Sequence, residues 1–80
     1  LIGPHEPKDP SVPYHTLEEL PPAVRRLPLH AQEIFRAAFN AAWHSYADRT
    51  PSEREETAFR VAWAAVGKRY RKLGNAWVER

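Results

Sequence analysis

The sequence predicts a mainly α-helical domain, a short helix followed by an antiparallel pair of long helices. Three observations predict it. Ala38–Trp43 and Ala58–Trp63 share the pattern Ala-Phe-x-x-Ala-Trp at a separation of twenty residues. Around each, apolar residues recur at steps of three and four, one face of a 3.6-residue helix. Between them, Asp48-Arg49-Thr50 followed by Pro51 is a turn with a helix start built into it. The chain is 80 residues, a small domain for a single core, and three Trp, three Phe and three Tyr compensate. Each aromatic buries roughly 150–250 Å².

Residues 1–12 are expected to form a flexible Pro-rich segment, with the folded domain over 13–80. Pro4, Pro7, Pro10 and Pro13 each remove an amide donor and fix φ, which favours an extended chain over a packed one. Thr16 with Glu19 has capping-box spacing, cut short by Pro21 and Pro22. Pro22 to Arg26 then forms a short helix that stops before Pro28, with Val24 and Leu27 directed into the core.

Pro28 opens the first long helix, about Leu29 to Ala47. Its apolar positions are Ala31, Ile34, Phe35, Ala38, Phe39, Ala42, Trp43 and Tyr46. Glu33, Arg36, Asn40 and His44 fall opposite, in solvent. The Gln32 amide lies at the edge of the apolar face, where it is expected to bond a neighbouring backbone. His30, at the helix start, is expected to bond exposed backbone groups.

Thr50-Pro51-Ser52-Glu53 starts the second long helix with capping-box spacing and Pro at its first position. Glu53, Glu55 and Glu56 suit the positive end of its dipole, and Lys68, Arg69, Arg71 and Lys72 the negative end. Apolar residues from Ala58 to Tyr70, Val61 among them, cover more than half its circumference, which marks it as the most buried helix. Gly74-Asn75 reads as its C-cap. Ala76-Trp77-Val78 is too short for a further helix. It is expected to pair with Val12 to Thr16 in a minimal two-stranded ribbon joining the chain ends.

The composition excludes several classes of function. No cysteine means no disulfide and no thiolate metal site, which fits an intracellular chain. No apolar run approaches the ~20 residues of a membrane span, and the N-terminus lacks the layout of a secretory signal. Direct membrane insertion is not expected. A net charge of +2, mixed in sign, is that of an ordinary surface. His30 and His44 lie about 21 Å apart along one helix and cannot share an ion. Neither a metal nor a cofactor is expected. The serines lack an adjacent His–acid pair and the three glycines form no phosphate loop, so the chain does not read as an enzyme. The most informative solvent face is that of the second long helix, where Arg60, Lys68 and Arg71 flank the small residues Ala64 and Gly67. These cations are the candidate contacts to a partner protein or a phosphate. The ordinary reading of such a face is a solvated surface that keeps the domain soluble.

Leu27 to Ile34, Ala38 to Trp43 with Tyr46, Arg54 to Ala58, and Val61 to Val66 with Tyr70 resemble the ChaB family of proposed cation-transport regulators. Pro13-Tyr14, Leu20-Pro21 and Trp77 extend the resemblance to about residues 13–78. It implies a small, mainly helical fold with a minor β-element. It also implies a non-enzymatic cytoplasmic regulator or adaptor acting by protein–protein contact on a sodium(calcium)/proton antiporter. The alternative is a small nucleic-acid-binding module using the basic face of the second long helix. The sequence departs from the family pattern at Phe59, where His is common, at Gly67, commonly basic, and in a shorter approach at Leu27-Pro28.

Overall fold

In the computed structural model, which describes residues 13–80, the chain enters through a 3-10 turn at Leu17–Glu19. The capping box forms as expected: Glu19 Oε1 accepts from the Thr16 amide at 3.3 Å and from the His15 amide at 2.6 Å. Helix α1 is a single turn, Pro22–Arg25, and Val24 and Leu27 are both buried. The flexibility expected of residues 1–12 lies outside the described residues.

Helix α2 (Leu29–Ser45) and helix α3 (Pro51–Arg69) run antiparallel. His30 meets Tyr70, Phe35 meets Trp63, Phe39 meets Phe59, and Trp43 meets Arg54. The α2 helix stops two residues before the expected Ala47, because Tyr46 leaves helical geometry and the chain reverses through a turn in which the Arg49 amide bonds the Tyr46 carbonyl at 3.1 Å. Thr50 Oγ1 accepts from the Glu53 amide at 3.3 Å, the expected start of α3.

The expectation that α3 is the most buried helix is corrected. Ala58, Ala62 and Val66 form its only fully enclosed stripe, at steps of four, and Val61 is 37% exposed. The bulk comes from α2, whose Phe35 and Phe39 are the largest fully buried side chains. Small residues at 58 and 62 let those two rings approach the α3 backbone. Trp43 and Trp63 sit half-buried at the margins, since an indole with one polar N–H favours an edge where that group stays wet.

The C-terminal expectation is also corrected. Tyr70 turns extended (φ −131°, ψ 153°), and strand β1 (Tyr70–Leu73) pairs antiparallel with strand β2 (Ala76–Glu79). The ribbon therefore joins neighbouring segments and does not pair Ala76–Val78 with residues 13–16; Val12 lies outside the described residues. Gly74-Asn75 is its two-residue loop and not a helix cap, with Gly74 at φ 63° and Asn75 at negative φ, as in a type II′ hairpin turn. Tyr70 is carried into the core by this arrangement, and the Arg80 amide bonds the Arg69 carbonyl at 2.8 Å beyond the far end.

The two glycines of this region should respond oppositely to alanine. A Cβ on Gly67 would meet nothing within 4 Å, so Gly67→Ala should gain up to ~1 kcal/mol from helix propensity. Gly74→Ala forces a side chain into positive φ and should cost about 1–2 kcal/mol. Thermal melts should separate the two variants by roughly 10 °C, at about 4–8 °C per kcal/mol for this size. Shifts of the same sign would contradict the assignment of the turn.

Candidate functional site

Arg60, Lys68 and Arg71 do not share one helix face. Arg60 projects from α3 with its guanidinium 3.7 Å from Glu56 Oε2, and both side chains are over 70% exposed. Such a pair is worth little in water. Lys68 lies in the last turn of α3, and Arg71 lies on β1, opposite Val78 and alternating with the buried Tyr70. The helix expected to carry Arg71 has already ended, because the Gly74-Asn75 loop folds residues 70–73 back as a strand. Lys68 and Arg71 instead belong to a basic end of the molecule, with Arg69 and Lys72. The Gly67 carbonyl accepts from Arg80 Nε at 2.5 Å.

The same hairpin builds a groove of about 400 Å³ that sequence reasoning missed. Ala23 reaches it from α1, Arg26 from the residue that caps α1, Trp63 from α3, Lys72 from β1, Asn75 from the loop and Trp77 from β2. Trp63 and Trp77 stack at 6.0 Å between ring centroids with a 26° tilt. Lys72 and Trp77 are direct cross-strand partners, so they occupy one face of the ribbon. The signal that could have found the groove is the Gly-Asn pair between two short alternating runs.

Other polar side chains serve the framework. Gln32 Nε2 donates to the carbonyls of Leu27 (2.8 Å) and Arg25 (3.1 Å), the backbone contact expected of it. Arg36 and Asn40 were expected in solvent, yet they continue the same line at steps of four. Arg36 donates to the His15 carbonyl at 2.5 Å. Asn40 takes the Tyr14 amide on Oδ1 at 3.2 Å and donates to the Tyr14 carbonyl at 2.7 Å. The incoming chain covers this side of α2, which is why these residues are half-buried. Arg54 Nε donates to the Trp43 carbonyl at 2.7 Å, one of the α2 end groups without a helical partner, and its guanidinium lies 4.1 Å from the Trp43 ring centroid.

His30 corrects a further expectation: its Nδ1 lies 3.2 Å from the Tyr70 hydroxyl, a side-chain partner and not backbone. Burial pushes the Tyr70 hydroxyl above its ordinary value, and Glu79 adds to the effect. Burial likewise raises Tyr14, with a smaller contribution from Glu55. Among the described residues, no three of His, Asp or Glu gather as a metal site, and no helix is long and apolar enough to cross a membrane.

The sequence model of the ChaB family matches residues 20–80. Proteins named "Putative cation transport regulator ChaB" from Escherichia coli K12 and from Shigella flexneri are each 50% identical over 66 residues, covering 76% of this chain and 87% of theirs. A solution structure titled "NMR solution structure of the putative cation transport regulator ChaB" superposes with a TM-score of 0.76 at 44% identity, covering 85% of this chain and 99% of that one. Helix pair, hairpin and sequence thus agree over nearly the whole described domain, and the chain belongs to the ChaB family.

Proposed function

We propose that the chain is a non-enzymatic regulatory domain that acts in the cytoplasm by protein–protein contact, with a sodium(calcium)/proton antiporter as its partner. The observation that carries this reading is the 50% identity to proteins named as cation-transport regulators, over 87% of their length. The geometry supports it in kind. Most aromatics pack in or against the interior, and several like charges gather at each end of the helix pair. Asp48, Glu53, Glu55 and Glu56 lie at the α2–α3 turn, while Lys68, Arg69, Arg71 and Lys72 lie at the hairpin end. A surface of this kind suits orientation against a charged partner.

The immobilised 80-residue chain should capture a detergent-solubilised sodium(calcium)/proton antiporter, and no capture at low salt would contradict the reading.

The basic hairpin end also supports a second reading, a nucleic-acid contact through Lys68 and Arg71, with Arg60 two turns away. It predicts oligonucleotide affinity that falls with salt at a log–log slope of about −0.7 per single-strand phosphate contact. The variant R60E/K68E/R71E should lose that affinity with helicity unchanged. Unaltered binding by the variant would overturn the assignment.

A further inference from the structure

We propose that the groove between α1, α3 and the hairpin docks a short acidic segment of the partner protein. Arg26 and Lys72 hold its carboxylates, and an apolar side chain lies on the Trp63–Trp77 pair. The proposal rests on the reading of the chain as a protein-binding regulator and assigns the surface that reading leaves open.

Three observations carry it. Arg26 and Lys72 converge on one cavity from separate elements, both side chains are exposed, and neither makes an ion pair among the described residues. Two unpaired cations above an aromatic floor call for an anionic occupant with an apolar body. The volume of about 400 Å³ accepts a few side chains, within the range of small-ligand sites. Tryptophan and arginine are also the residues over-represented where interfaces concentrate their binding energy.

The ring geometry excludes a base inserted between the two indoles. A base inserted between two rings needs them about 7 Å apart, twice the ~3.5 Å carbon contact distance. Trp63 and Trp77 stand only 6.0 Å apart between centroids and stack on each other, so their facing surfaces are taken. What remains is one continuous apolar platform, which an aliphatic side chain covers as well as a base does. Within the groove itself, the two cations Arg26 and Lys72 match a pair of carboxylates.

The test is a nuclear magnetic resonance titration of the full chain that follows its three indole N–H signals. Trp43, beneath Arg54 at the opposite end, is the internal reference. The probes are an eight-residue peptide carrying four glutamates and two leucines, its counterpart with glutamine for glutamate, and an eight-nucleotide oligothymidine. The glutamate peptide should shift Trp63 and Trp77 but not Trp43, and bind at least tenfold more tightly than the other two probes. Arg26→Gln with Lys72→Gln should reduce that affinity at least tenfold without loss of helicity.

Equal affinity for the glutamate and glutamine peptides would overturn the proposal. So would shifts confined to other residues, or preferential binding of the oligonucleotide. Capture of the antiporter by R26Q/K72Q as efficiently as by the unaltered chain would overturn the groove and leave the regulatory reading standing. Peptide binding at the two indoles without antiporter capture would support the groove and contradict the choice of partner.

Discussion

Phe35→Ala should cost about 3–5 kcal/mol, the range for removing a large buried aromatic. Phe35 is completely enclosed and packs near three aromatic rings: Phe39 at 6.0 Å, Phe59 at 6.0 Å and Trp63 at 5.1 Å between centroids. A domain of this length has roughly 4–12 kcal/mol of total stability at 0.05–0.15 kcal/mol per residue. The variant should therefore be largely unfolded, or melt far below the unaltered chain. Phe35→Leu, which keeps most of the volume, should lose about 1.5 kcal/mol or less and remain measurable by urea denaturation. If Phe35→Ala melted within a few degrees of the unaltered chain, the interior would not be organised around α2.

Asn40→Ala should destabilise by about 2 kcal/mol, more than an exposed helical asparagine warrants. Alanine is the better helix former, so propensity alone predicts a small gain. Against it stand two hydrogen bonds to the amide and carbonyl of Tyr14, each with a typical net value of about 1 kcal/mol and more when its partner is left dry. Tyr14 packs its ring 4.9 Å from Phe39, so loosening its backbone also uncovers the core. Hydrogen exchange should show faster exchange around residues 13–20 while the middle of α3 stays protected. A neutral or stabilising effect would mean that the incoming chain is not held by this clamp.

The contrast between these two residues shows what the sequence makes legible. Phe35, Phe39, Val24, Leu27 and the Thr50 cap follow from periodicity and capping chemistry, because each depends on neighbours within a turn or on one apolar face. Asn40 and Arg36 do not. Helical periodicity separates the side facing α3 from the rest, but a second side of α2 is covered by residues 14–27, and no local pattern announces which segment will cross it. Gln32 was readable only because its targets lie five and seven residues away.

The hairpin is hidden from local sequence patterns for a different reason. Lys68 to Lys72 are competent helix formers, and a glycine after them resembles a C-cap. The choice between helix and ribbon depends on burying Tyr70 and stacking Trp77 on Trp63, both tertiary gains. Because the turn decides where α3 ends, it also decides that Arg71 lies on β1 and that Arg26 and Lys72 meet at one groove. Phe59 is a gentler case. The family resemblance leads one to expect a titratable histidine at this position, and this chain sets there a half-buried ring 4.8 Å from Phe39, which adds to the aromatic cluster.

The proposed contact between the Arg26–Lys72 groove and an antiporter is open to a direct functional test. Sodium/proton exchange in inverted membrane vesicles measures it most directly, with added unaltered chain compared with R26Q/K72Q at equal folded concentration. The unaltered chain should change the exchange rate severalfold, and the variant should leave it at the level of vesicles alone. An exchange rate indifferent to the unaltered chain, or changed equally by both, would contradict it.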